Sequence, residues 1–114
     1  MKSFKFGESG LGLPIMGYHF GNKGPQILIL GGVHGDESEG VVAAHGLIGR
    51  FSNSFTYKLN LTIVPMFNFD GVIAQQRKNT NSVDLNRNLP TKDWTNNVTE
   101  DKYFPGSEAN SEPE

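Results

Sequence analysis

The sequence predicts an α/β fold, and three observations predict it. Residues 26 to 31, QILILG, form a continuous apolar run closed by glycine, the pattern of a strand buried on both faces. Residues 59 to 67, LNLTIVPMF, form a second run in which Leu59, Leu61 and Ile63 alternate with Asn60 and Thr62. Between them Val41, Ala44, Ile48 and Phe51 recur at spacings of 3, 4 and 3, one face of a helix packed on a sheet. A strand-helix-strand unit crosses over right-handed and leaves its two strands parallel.

The chain of 114 residues has the length of one domain. It divides into a hairpin region over 1–25, a core carrying the motifs over 26–90, and a polar segment over 91–114. Residues 3 to 20 alternate weakly between apolar and polar, with GESGLGLP in the middle, and predict an antiparallel hairpin. Gly10-Leu11-Gly12 reads as its turn, because no full glycine fingerprint follows a strand and opens a helix there. Residues 26 to 31 read as a central strand. In the helix, Asp36 and Glu39 are spaced as an N-terminal cap pair, while Gly40, Gly46 and Gly49 weaken it through backbone entropy. From Thr91 onward the chain is polar, with Trp94, Tyr103 and Phe104 as its main apolar points. That segment reads as a disordered tail or as a long loop that packs only against further chain.

Ten Lys and Arg against 12 Asp and Glu leave a formal net charge of -2. No basic face for a nucleic acid follows from that balance, nor a polybasic anchor for a membrane. The N-terminus lacks the apolar run of a secretory signal, so a cytoplasmic protein is expected. Cysteine is absent, so any metal must be held by His, Asp or Glu. No G-x-S-x-G elbow follows either strand. Asp36 and Glu37 are neighbours and cannot flank a glycosidic bond.

Ligands of open α/β sheets gather at the carboxyl ends of the strands. His34 and Glu37 follow the end of the first buried strand, and Asn68 and Asp70 follow the second. Imidazole and carboxylate are both zinc ligands, yet a His and a Glu three residues apart also occur as a plain surface pair. His45 lies eight residues beyond Glu37, about 12 Å along a helix, too far to share a metal with it. His19 reads as a surface residue of the hairpin.

The second cluster runs from Asn68 to Pro90, NFDGVIAQQRKNTNSVDLNRNLP. With His34 and Glu37 it resembles the zinc carboxypeptidase family, whose pattern is HxxE after a strand, N-x-DG after the next, an arginine, then VD-x-NRN. The resemblance covers about Gln26 to Glu114 and is strongest toward the bacterial murein-peptide-amidase branch, which the PGSEANSEPE ending also resembles. It implies the N-terminal part of a three-layer, mixed-sheet fold, truncated. It also implies a zinc-dependent metallopeptidase or amidase cutting small murein-derived peptides at the γ-D-glutamyl-diaminopimelate bond. By resemblance, His34 and Glu37 are zinc ligands and Asp84 hydrogen-bonds the ligand histidine from behind. Arg77 polarises the scissile carbonyl, and Asn86 and Arg87 grip the substrate carboxylate. Without the resemblance, Asp84 reads equally as a turn cap and Arg77 as a solvated neighbour of Lys78. Asn86 and Arg87 share one pocket only if the chain turns there, since neighbours on a strand point to opposite faces. Asn68, Asp70 and Gly71 read as the turn that presents Arg77.

The family's third zinc ligand and its glutamate base cannot be placed in these residues. Weak zinc binding and no activity are therefore expected of residues 1–114 alone. The missing C-terminal half or another copy is expected to complete the sheet. Two other readings stand beside this one: a non-catalytic module that binds a peptide carboxylate, and a zinc acylase of the aspartoacylase or desuccinylase type.

Overall fold

Four strands form one sheet in the order β1-β2-β4-β3. They are β1 (Lys2–Glu8), β2 (Pro14–Phe20), β3 (Gln26–Leu30) and β4 (Asn60–Val64), with helix α1 (Ser38–Asn53) between β3 and β4 and a short α2 (Phe69–Ala74) after β4. The computed structural model describes residues 1–114.

The expected hairpin is present. β1 and β2 pair antiparallel from Lys2 opposite His19 to Glu8 opposite Pro14, with a bulge between Lys5 and Gly7. Gly12, at φ +79°, takes the left-handed conformation that the tight turn requires. β3 and β4 pair parallel, Gln26 opposite Asn60 through Leu30 opposite Val64, as the crossover rule requires.

The expected place of β3 is corrected. β4 inserts between β2 and β3, so β3 is the edge strand, with Ile27 37% and Leu28 52% exposed. Its residues alternate between two faces. Ile29 joins the core under α1. Leu28 lies opposite Thr62 on the other face, which α1 does not cover. Sheet and one helical layer are thus present, two of the three expected layers.

Burial of one helix face drives α1 onto the sheet. Phe20, Ala44, Leu61 and Ile63 form the buried centre, with Leu47, Ile48, Phe51 and Phe55 packed against it. Phe51 meets Phe20, Phe55 and Tyr57 at ring-centre distances of 5.2 to 5.8 Å, within the range of favourable aromatic pairs. The cap pair Asp36 and Glu39 does not form. The N-cap is Glu37, without a side-chain cap bond; the chain enters the helix straight from the loop that carries His34.

Gly46 and Gly49 have open space where a Cβ would stand. Gly46→Ala and Gly49→Ala are each expected to stabilise the protein by about 0.5–1 kcal/mol, because alanine removes backbone freedom from the unfolded chain and touches nothing in the fold. Urea midpoints of the two variants against wild type check this.

Candidate functional site

Both β3 and β4 deliver polar loops to the same end of the sheet, and the loops touch through backbone. Gly35 packs on Gly71: a Cβ at Gly35 would stand 2.0 Å from the Gly71 carbonyl carbon and 2.4 Å from the Gln76 oxygen. Glycine is what lets the HGDE loop approach the NFDG segment. The Gly35 N–H donates to the Arg77 carbonyl at 3.4 Å.

The expected NFDG turn is the first turn of α2. Asn68, fully buried, caps that helix by accepting from the Gly71 N–H at 3.0 Å. Its amide also donates to the Arg77 carbonyl at 3.2 Å. Helix α2 ends at Gln75, in the left-handed region at φ 53°, and the reversal brings Arg77 back toward His34. Asn68 therefore fixes both ends of the loop that presents the arginine.

Asp84 is the hub. It is fully buried, and four donors meet its two oxygens. Oδ1 accepts from His34 Nε2 at 3.0 Å and from the Asn86 N–H at 3.0 Å. Oδ2 accepts from Arg77 Nε at 3.0 Å and pairs with its Nη2 at 2.9 Å. On the other edge of the imidazole, His34 Nδ1 lies 3.1 Å from Glu37 Oε1. Arg77 Nη1 stands 3.8 Å from the same oxygen. His34, Glu37, Arg77 and Asp84 thus form one connected group, in which His34 is buried and Glu37 opens to solvent.

The tautomer follows from the hub. A neutral imidazole that donates Nε2–H to Asp84 presents a lone pair at Nδ1. Glu37 is an acceptor as well. Two acceptors 3.1 Å apart need a proton or a cation between them. Ligands of a tetrahedral zinc, each about 2.0–2.1 Å from the metal, stand about 3.3 Å apart. The pair fits two positions of such a site. No group of three or more His, Cys, Asp or Glu side chains here could hold a metal ion.

The chain does turn at Asn86 and Arg87. Leu85–Arg87 is a single 3-10 turn, capped by Asp84 through the Asn86 N–H. Both side chains open onto one cavity of about 500 Å3, lined also by Asp93, Trp94, Thr95 and Val98. The remaining histidines stay outside the group. His45 is exposed and bonds the Val41 carbonyl of its own helix. His19, expected at the surface, is half-buried between Thr62 Oγ1 at 3.2 Å and the Gly21 carbonyl at 2.9 Å.

The polar segment 91–114 is packed, contrary to a tail. Asn88, buried, donates to the carbonyls of Pro105 and Glu108 and to Ser111 Oγ, at 2.7 to 3.0 Å. Asn79, fully buried, donates to Glu112 at 2.7 Å and accepts from the N–H groups of Asn81 and Val83. Lys78 pairs with Asp101 at 2.6 Å. Asn79 and Asn88 received no role from sequence. The available signals were the place of Asn88 inside the NRN run and the turn-rich KNTNS around Asn79.

This anchoring titrates. Burial pushes the Glu112 carboxyl up, but donors from Asn79, Asn81 and Ser111 outweigh it and hold the group below the usual carboxylate range. Burial raises Glu114, against the Asn79 and Gly10 donors. A lowered folded-state pKa stabilises above the ordinary glutamate range, and that contribution is lost as pH falls through the folded value. Glu112→Gln is thus expected to lower the urea midpoint at pH 7, and the deficit to shrink as pH falls below the ordinary glutamate range. A deficit that persists at low pH would contradict this origin.

Comparison with known proteins places the chain. The model of the succinylglutamate desuccinylase/aspartoacylase catalytic domain matches residues 23–110. Murein peptide amidase A of Escherichia coli K12 is 31% identical over 121 aligned positions, covering 96% of this chain and 49% of that protein. The crystal structure of murein-tripeptide amidase from Escherichia coli O157 superposes with a TM-score of 0.72 at 30% identity, over 97% of this chain and 51% of that one. Bovine thrombin-activatable fibrinolysis inhibitor, solved with tick carboxypeptidase inhibitor, superposes at 0.83 with 22% identity, over 98% and 45%, and shows the shared fold. The chain spans about half the length of the curated relatives it matches. No helix is long and apolar enough to cross a membrane. With a carboxypeptidase-like α/β fold and the HGDE and VDLNRN segments folded into one group, the chain belongs to the succinylglutamate desuccinylase/aspartoacylase catalytic-domain family and is similar to the murein peptide amidases.

Proposed function

We propose that these residues form the front half of a zinc-dependent amidase site that hydrolyses a peptide bond near a free carboxylate in murein-derived peptides. The observation that carries the reading is the group around Asp84: a buried carboxylate that orients His34 and Arg77 together, with Glu37 facing the free imidazole nitrogen. His34, through Nδ1, and Glu37 would hold the zinc. Bound zinc supplies Lewis acidity to the site.

The chain's own residues do the rest. Asp84 keeps the proton of His34 on Nε2, so that Nδ1 stays free to bind. Arg77, held from behind by Asp84, presents its remaining N–H groups to the oxygen of the scissile carbonyl and stabilises the charge that develops there. Asn86 and Arg87 bind the substrate's free carboxylate, for which the planar guanidinium offers two parallel hydrogen bonds. With two ligands and no placed general base, residues 1–114 alone bind zinc weakly and do not turn over. The open edge of β3 and the exposed Leu28 support completion of the sheet by further polypeptide, a C-terminal continuation or another copy.

The second reading, an acylase acting on an N-acyl amino acid, is favoured by the family match over residues 23–110. Hydrolysis of a murein tripeptide and of an N-succinyl amino acid, assayed side by side with the full-length protein, separates the two. The amidase reading expects the tripeptide to be cut through its γ-D-glutamyl-diaminopimelate bond, with Arg77→Ala lowering kcat by about 10²–10³. Turnover of the N-succinyl amino acid alone would transfer the site to the acylases.

A further inference from the structure

Tyr103 stands in the segment that the sequence reads as a tail or a long loop, and its ring meets both candidate arginines. The Arg77 guanidinium carbon lies 5.4 Å from the ring centre and that of Arg87 lies 5.3 Å away. Both are within the roughly 6 Å over which a cation is attracted to an aromatic face. Arg77 is already held by Asp84 and approached by Glu37. Arg87 takes part in no ion pair, and its one side-chain hydrogen bond, at 3.1 Å, goes to the carbonyl of its neighbour Asn86. The ring is therefore the main restraint on the orientation of Arg87.

The ring is itself well placed. Tyr103 ends a 3-10 turn, Asp101–Tyr103. Lys78 Nζ grips that turn at the Asp101 carbonyl, 3.2 Å, and at its carboxylate, 2.6 Å. The next carbonyl, of Phe104, accepts from the Asp84 N–H at 2.8 Å. The residue after Arg77 and the hub of the site thus fix the backbone on both sides of Tyr103. A half-buried aromatic tied to both motif segments sits where it can hold two guanidiniums in one relative geometry.

We infer that Tyr103 is a positioning residue: its ring fixes Arg77 and Arg87 relative to each other, so that a substrate's carboxylate and its scissile carbonyl are met at a set spacing. The inference rests on the roles proposed above for the two arginines. Contact with the ring leaves the N–H groups of Arg77 that Asp84 does not hold, and those of Arg87 beyond its one bond to the Asn86 carbonyl, to bind oxygen. Loss of the ring releases Arg87, whose grip acts equally on bound substrate and transition state and so sets KM. Arg77 keeps its Asp84 pair and moves less, so kcat falls by a smaller factor.

The test uses the full-length protein with Tyr103→Phe and Tyr103→Leu, and thermal midpoints measured beside the kinetics. Tyr103→Leu is expected to raise KM for a carboxylate-ended peptide about tenfold, and Tyr103→Phe to stay within about twofold of wild type. The Nε–Hε resonances of Arg77 and Arg87 should lose their ring-current shifts in the leucine variant and keep them in the phenylalanine variant. Should the leucine variant fail to fold, a fluorinated phenyl ring at 103 preserves shape while draining the ring face of negative potential, and KM should then rise alone. Equal damage by Phe and Leu would assign the effect to the hydroxyl and overturn the inference. So would unchanged KM and unchanged arginine resonances in Tyr103→Leu, or an unchanged KM with the fluorinated ring. If wild-type protein binds and cuts no carboxylate-ended peptide, the functional reading fails instead, and the arginine resonances alone decide whether the ring positions them.

Discussion

Asp84→Ala is expected to be the most damaging single change, destabilising the protein by about 3–5 kcal/mol. The carboxylate is fully buried and satisfied by His34, Arg77 and the Asn86 N–H together. Alanine leaves Arg77 charged without its buried partner and frees the imidazole to rotate. Domains of this size are stable by only about 5–15 kcal/mol, so the variant should unfold at a much lower urea concentration. Asp84→Asn separates structure from chemistry. It preserves shape and two of the donor contacts but turns one NH2 toward a donor and removes the charge facing Arg77. In the full-length protein, metal affinity and activity are expected to fall about 10- to 100-fold, with a smaller loss of stability. Urea titration and zinc calorimetry on both variants check the two halves of this expectation. A well-folded Asp84→Ala protein with unchanged affinity would show that Asp84 is a turn cap and nothing more.

Gly35→Ala is the second. Its Cβ would fall 2.0 Å from the Gly71 carbonyl carbon and 2.2 Å from the oxygen. Backbone cannot rotate away as a flexible side chain can, so the HGDE loop must separate from the NFDG segment. A loss of about 3 kcal/mol or more is expected, with the Gly35 N–H bond to the Arg77 carbonyl broken and the arginine displaced. The same chemical change is expected to stabilise at Gly46 and Gly49, where a Cβ meets nothing. Parallel denaturation of the three variants tests the contrast; a neutral Gly35→Ala would mean that the loops do not need this close approach.

Periodicity made the strands, α1 and the parallel pairing legible, because burial writes its period directly into a chain. The edge position of β3 was not legible. QILIL is as apolar as a central strand, and only the insertion of β4 beside β2 decides that its outer side is open. The cap pair was a spacing match without geometry: Glu37 takes the cap position, and its carboxylate faces His34 instead. The packing of residues 91–114 was hidden for a different reason. Single buried amides, Asn79 and Asn88, hold the segment by bonds to backbone and carboxylates, and such bonds leave no repeat. Of the site, His34, Glu37, Arg77 and Asp84 were named together from sequence, and the fold brings them together. Asn86 and Arg87 required the 3-10 turn that Asp84 caps. Tyr103 carried no signal in its own segment, since its partners lie 16 and 26 residues away.

The most direct test of the account is calorimetric zinc titration of the full-length protein, wild type beside His34→Ala and Glu37→Ala. A zinc site on His34 and Glu37 requires about one zinc per chain in wild type and an affinity lower by about 100-fold or more in each variant, since a catalytic zinc rests on three protein ligands. Variants that bind zinc as tightly as wild type would contradict it, and would leave His34 and Glu37 as a hydrogen-bonded pair with no metal to hold.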